Sequence, residues 1–436
     1  MSAPGSAAAN ALGVVIVIAR YPPHHLGGYE LRCRDVAREL ARRGHRVTVL
    51  TSREGARGVE DDGGVRVVRA LRLRADGVKP GRRSVTAFVW GTSRDVAKLR
   101  RETRRARADV VAYWHQAGLT SALLAVAPPV GCGVLCDVSS DWLADIETSG
   151  GNWFRIWERP AGSAWKRVAK SLLRPLVGLL LGVPVRRPPF PPGRAYFTSE
   201  DRRRRTQEAG VDVAGAALIR SGIDLQRFPY RPDRDWSGEV RLLFLGRMKR
   251  RKGLHTVALA LGDLPANVRL RAVGPAEDPE YLAEVGELAT AARATDRIEV
   301  SDAVPHSQVP GRLHDAHVLV FASEEPEAFS RLVLEAFACG TLVVGTTLGG
   351  TGEVLREGET GLVFAPGNSR ELSNQLGRLL GDPALRARLL ANARTLVETR
   401  YALGFTVDQI EALLREAAAK AKPPETEPEP EDARGG

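Results

Sequence analysis

The stretch that most constrains this 436-residue chain runs from Val318 to Leu362. Its apolar run from Val318 to Phe321 has the length and β-branched content of a buried strand, and it empties into an acidic loop. A short helix carrying Glu335 follows and stops at Gly340, Leu342 to Val344 reads as the next strand, and Gly349 and Gly350 make a turn where backbone can approach a bound group. Strand, loop, helix and strand in such quick succession imply a parallel α/β layer, whose ligands sit outside the carboxyl ends of the strands.

Two carboxylates, Glu327 and Glu335, flank seven intervening residues, and Phe329 and Ser330 open the helix between them. The first free N–H groups of that helix, from Ser330 through Arg331 to Leu332, carry the positive end of its dipole and suit a diphosphate. One carboxylate stands before the helix and the other is expected two turns along it, so they address opposite ends of an elongated ligand. Ionised carboxylates only accept hydrogen bonds, so their natural partners are sugar and ribose hydroxyls.

The segment EAFSRLVLEAFACGTLVV, followed by GGTGE, resembles the E-x7-E signature of retaining GT-B glycosyltransferases of family 4, whose common form reads EGFGLVLLEAMACGTPVV before a GG-x-x-E turn. The two Glu, the Phe, the helix end and the Gly-Gly turn recur in one order. Upstream, LGRMKRRKG resembles the family's GR-x-x-x-KG motif. The resemblance implies that Arg247 and Lys252 hold the donor diphosphate and stabilise charge on the leaving group, with the assignment to Lys252 resting on the following Gly253. Val304 falls in the loop from which the family contacts the nucleotide base.

The N-terminal part repeats the α/β pattern. GVVIVIA reads as a central parallel strand, a Pro/Gly loop leads to a helix from about Tyr29 to Gly44, and HRVTVLTS is the next strand. Gly27 and Gly28 lie where a ligand would, but GGYE is not G-x-G-x-x-G, which disfavours a nicotinamide cofactor. The pair resembles the family's first Gly-Gly loop, which faces donor phosphate and acceptor. Further strands are expected at 65–71, 109–114 and 133–137. His115 follows one of these strand ends. Family members place a His after the third, where this chain has Ser139 or Ser140, leaving Asp137, Ser139, Ser140 and Asp141 as substitutes on the acceptor side.

Charge is unevenly spread. Residues 1–235 carry 40 Lys and Arg against 23 Asp and Glu, and the remainder 23 against 29, within an overall net charge of +11. Residues 142–194 hold four of the seven tryptophans and an apolar run, Leu172 to Val185, flanked by Lys166, Arg167, Lys170, Arg186 and Arg187. Two readings of 166–187 stay open: a core or acceptor-lid element, and a peripheral contact with anionic lipid. Arg202 to Arg205 read as a solvated face, since no nucleic-acid motif accompanies them, and the D-x-D at 233–235 lies in a Pro-rich linker. Four cysteines show no metal spacing and suit free thiols in a reducing compartment. No leader pattern and no run of 18 apolar residues is legible.

The expectation is therefore an α/β chain of GT-B architecture, two Rossmann-like doubly wound domains facing across a cleft. The acceptor-side domain would span 1–232, the nucleotide-sugar domain 233–400, a helix at 401–420 would cross back to the first domain, and 421–436 would be a disordered tail. Function is expected to be transfer of a sugar from a nucleoside diphosphate sugar to an acceptor hydroxyl with retention, in the cytoplasm or on the inner membrane face. The acceptor class stays open between glycan, lipid-linked and small-molecule hydroxyls. Neither cofactor nor metal is implied, because two cations can do the work of Mg²⁺. The alternatives are a nucleotide-sugar epimerase or hydrolase and a non-catalytic membrane-associated scaffold; nucleic acid is disfavoured.

Overall fold

The computed structural model describes residues 11–73, 82–125, 131–144, 153–158, 168, 171–175, 178–179, 182–183, 185 and 195–421. Two sheets organise them. The first contains β1 (Gly13–Val17), β2 (Arg46–Ser52), β3 (Gly58–Asp61), β4 (Arg66–Leu71), β5 (Val110–Tyr113), β6 (Gly133–Val138), β7 (Ala195–Phe197) and β8 (Ala217–Leu218), in the order β3-β4-β2-β1-β5-β6-β7-β8. All pairs are parallel except β3 on β4. That edge strand was not legible in the sequence, because all four residues of GVED are exposed and carry no apolar alternation.

The second sheet contains β9 (Val240–Leu245), β10 (Val268–Val273), β11 (Ile298–Ser301), β12 (Val318–Phe321), β13 (Leu342–Gly345) and β14 (Leu362–Val363), all parallel, in the order β11-β10-β9-β12-β13-β14. Each sheet therefore reverses direction once, between β1 and β5 and between β9 and β12. Loops diverge to opposite faces at such a reversal and leave a crevice beyond the strand ends. The loops after β1, β5, β9 and β12 hold Gly27, His115, Arg247 and Glu327. Topology thus gathers them in two pairs, Gly27 with His115 on one sheet and Arg247 with Glu327 on the other.

Each sheet is covered on both faces. The helix Gly28–Arg42 and the C-terminal helix Leu403–Ala421 cover one face of the first sheet, the latter through Val407, Ile410, Leu414 and Ala418. The chain crosses between domains twice, and the crossings are stitched together: Ile223 N donates to Tyr401 O at 2.8 Å and Leu403 N to Ile223 O at 2.9 Å. On the other face Trp142, Trp153 and Phe154 are buried. In residues 166–187 the basic flanks lie outside the described residues, while Leu172, Leu173 and Leu179 are exposed. The tail beyond residue 421 also lies outside them. No helix of the described residues is long and apolar enough to cross a membrane.

Candidate active site

The second domain supplies the densest chemistry. Gly253 has φ +72°, and a Cβ there would collide with Ala322 O beside β12. Only glycine fits this tight, left-handed turn. It sets Lys252 against the β12 loop, where Nζ forms an ion pair with Glu327 Oε1. Ser323 Oγ donates to the same oxygen at 2.9 Å. Burial alone would raise the Glu327 carboxyl, but Lys252 and Ser323 hold it below its ordinary value. The neighbouring cations have partners of their own: Lys249 pairs with Glu277 at 2.6 Å, Arg250 with Glu284, and Arg251 lies 3.6 Å from Glu325. The structure therefore separates Lys252 from its crowded surroundings, which sequence could do only through Gly253.

Arg247, on the loop after β9, is partly buried; its carbonyl accepts from Lys249 N at 3.0 Å, and its side chain makes no hydrogen bond or ion pair with a described residue. Its charge acts both on the Tyr29 hydroxyl of the first domain and on Glu277 of its own domain. The helix after β12 runs from Arg331 to Cys339, with Ser330 as its N-cap. Glu335 thus sits just over one turn along, not two, because Phe329 and Ser330 remain outside the helix. Ser330 Oγ is buried without a partner among the described residues, and the helix start carries no side-chain cap. An uncapped N-terminus beside a paired Lys and an unpaired Arg is suited to an anion.

Glu335 Oε1 accepts from Arg331 Nε at 3.0 Å and from His306 Nε2 at 2.8 Å. No described residue donates to its Oε2. Glu327 is held in the same one-sided way, leaving each carboxylate an oxygen for a ligand hydroxyl. Val304, Phe329 and Leu332 pack against one apolar cluster, and the Phe329 ring lies 5.8 Å from Tyr401 at the domain crossing. Gly350 brings the Gly-Gly turn to the first domain: a Cβ there would stand 2.7 Å from Ser199 Cβ and collide with Ala328 O.

The first domain answers with Gly27 and Gly28 at the start of the 28–42 helix, where Glu30 accepts from Gly27 N at 3.0 Å and Leu26 N at 3.3 Å. His115 Nδ1 lies 2.7 Å from Ser140 Oγ, and its ring centroid is 4.1 Å from that of Tyr29. Burial and Arg20 push the His115 pKa down to about 4, so its imidazole is neutral at neutral pH. Ser139 is buried, its Oγ without a described partner.

Asp137 is a correction. It points beneath the sheet rather than into the cleft and forms a fully buried ion pair with Arg32, whose guanidinium stacks 4.8 Å from the Trp114 ring. Side chains alternate along β6, so a residue inside the strand faces one layer while its end faces the crevice. Asp141 is taken by Arg202, which is likewise a correction to the solvated reading of Arg202 to Arg205: Arg202 is 3 % exposed and paired with Asp141, while Arg203 to Arg205 reach solvent. Asp35, Arg227, Tyr29 and His306 were missed. The signal for Asp35 was present, since Glu30, Arg32 and Asp35 are charged residues on the buried stripe of an amphipathic helix.

The family model for Glycosyl transferases group 1 matches residues 229–396, and that for Glycosyltransferase Family 4 matches residues 26–171. The chain belongs to the family 4 glycosyltransferases. Among curated relatives, the family 4 chain is 30% identical over 228 residues to the glycogen synthase of Mycobacterium tuberculosis, covering 52% of this chain and 53% of that one. It spans about half the length of the curated relatives it matches. Its fold is that of the sucrose-phosphate synthase of Thermosynechococcus elongatus, with TM-score 0.68, 20% identity and coverage of 93% and 99%. Anabaena HepE, solved in complex with UDP-glucose, is similar at TM-score 0.65 and 17% identity, covering 92% and 99%. The GT-B architecture, two Rossmann-like domains across a cleft, is thereby established for this family 4 chain.

Proposed function

We propose that this protein transfers a sugar from a nucleoside diphosphate sugar to an acceptor hydroxyl with retention of anomeric configuration. The observation that carries this reading is the cluster of Lys252, Glu327 and Glu335 around one uncapped helix start, with Arg247 on the loop of the adjacent strand β9. The anomeric C–O bond to the diphosphate breaks, and negative charge develops on the leaving oxygen. Arg247, Lys252 and the N–H groups from Ser330 to Leu332 stabilise that charge before any solvent must reorganise. Glu327 holds the donor sugar and Glu335 the ribose. The acceptor oxygen bonds to the anomeric carbon on the face the phosphate leaves, and its proton passes to the departing phosphate oxygen. His115 and Ser140 border the acceptor side.

The UDP-glucose complex of the similar Anabaena protein supports a nucleotide sugar as donor. The bases and sugars are discriminated by a thermal-shift panel of UDP-, GDP-, ADP- and dTDP-sugars. Anomeric coupling in the NMR spectrum of the product then reads the stereochemistry, and an inverted product refutes the mechanism. Donor consumed equally fast without any acceptor instead identifies a hydrolase or epimerase.

A further inference from the structure

Arg331 opens its helix where the quoted family pattern carries Leu. Its guanidinium is buried and bridges the domains: Nε donates to Glu335 Oε1 at 3.0 Å, and Nη2 donates to Asp35 Oδ2 on the 28–42 helix. Its stem lies against Gly28, where a Cβ would be 3.6 Å from both Arg331 Cβ and Cδ. Asp35 Oδ1 also lies 3.5 Å from Arg227 Nη1. Arg227 Nη2 donates to His306 Nδ1 at 2.8 Å, which leaves His306 Nε2 to donate to Glu335. These contacts close a ring of five side chains, with Asp35 on a helix of the first sheet and Arg227 on the segment just after the crossing at Ile223.

A buried ion-pair network is a poor source of net stability, because desolvating its charges cancels most of the attraction. It is good at fixing geometry. Here both donors converge on Glu335 Oε1, so Oε2 is the oxygen left to meet a ligand. Arg331 Nη1 is also buried with no partner among the described residues, and a buried unsatisfied donor calls for an acceptor.

We propose that Asp35 and Arg331 are positioning residues for the donor's ribose, the cross-cleft ion pair orienting Glu335 so that its free oxygen meets the ribose hydroxyls when the two domains are docked. This rests on the reading of Glu335 as the ribose acceptor. Asp35 reaches Glu335 directly through Arg331 and, more distantly, through Arg227 and His306, so its effect on ribose recognition is relayed by these side chains.

The test uses the full chain and calorimetric binding of UDP, GDP and ADP, each compared with its 3′-deoxy counterpart. Wild type is expected to favour the ribonucleotide of the preferred base. Asp35→Asn is expected to weaken that ribonucleotide about tenfold while changing the 3′-deoxy form little, because one charged hydrogen bond is misdirected. Removing one partner of a buried pair can unfold a protein, so the double variant Asp35→Asn/Arg331→Gln, which takes both charges away, is measured alongside. It is expected to fold and show the same lost preference. A ribose preference present in wild type and unchanged in both variants overturns the inference while leaving Glu335 its role. Absence of the preference in wild type overturns the reading of Glu335 and the inference with it.

Discussion

Lys252 and Glu327, 75 residues apart, form an ion pair between the loops that follow β9 and β12. In the proposed mechanism this pair sets a cation for the phosphate and a carboxylate for the sugar. Lys252→Ala should therefore lose two things at once. Turnover should fall roughly 10²- to 10³-fold, the usual loss for one preorganised donor to developing charge, and the Glu327 carboxyl should titrate at higher pH. Steady-state transfer assays check the first and the pH dependence of donor binding the second; near-wild-type turnover would sink the assignment.

The two carboxylates should separate in binding experiments. Glu335→Gln is expected to weaken a free nucleoside diphosphate by about tenfold, the worth of a charged hydrogen bond. Glu327→Gln should leave that affinity nearly unchanged and lower turnover of the sugar nucleotide, since the proposed mechanism assigns it to the sugar. Equal effects on the free nucleotide would contradict the division of labour.

Asp137 tests the corrected placement. Asp137→Asn leaves the Arg32 guanidinium buried and unpaired, and should cost about 3 to 5 kcal/mol in denaturant unfolding. Transfer by the fraction that remains folded should keep its KM for acceptor. A selective rise in acceptor KM with normal stability would return Asp137 to the cleft.

His115 predicts an acid-sensitive fold. Its folded pKa, about 4, lies below the ordinary 6.5. Below pH 6.5 the unfolded chain binds the extra proton, so this residue's share of stability is intact above that pH and drains away as pH falls towards 4, by about 3 kcal/mol at most. Unfolding midpoints measured from pH 7 to pH 4.5 should fall less steeply in His115→Asn than in wild type.

Gly350→Ala should destabilise by about 2 kcal/mol, since its methyl would collide with Ala328 O and crowd Ser199 from the other domain. Thermal melting reads this directly, and an unchanged melting temperature would mean that the domains dock less closely here than the structure shows.

What the sequence determined by itself is local. Apolar runs of strand length, glycines at loop positions and the order of motifs around Glu327 and Gly253 specified two doubly wound layers and the residues at their strand ends, because side-chain period and backbone freedom act within a few residues. What only the tertiary structure decided is pairing and direction. It turned Asp137 under the sheet, set His115 against Tyr29 and Ser140, singled out Lys252 among four adjacent cations, buried Arg202 from a run of four arginines, and joined Asp35 to Arg331 across 296 positions. The physical reason is that a buried charge must find a partner, and which partner it finds depends on how strands distant in sequence are brought side by side.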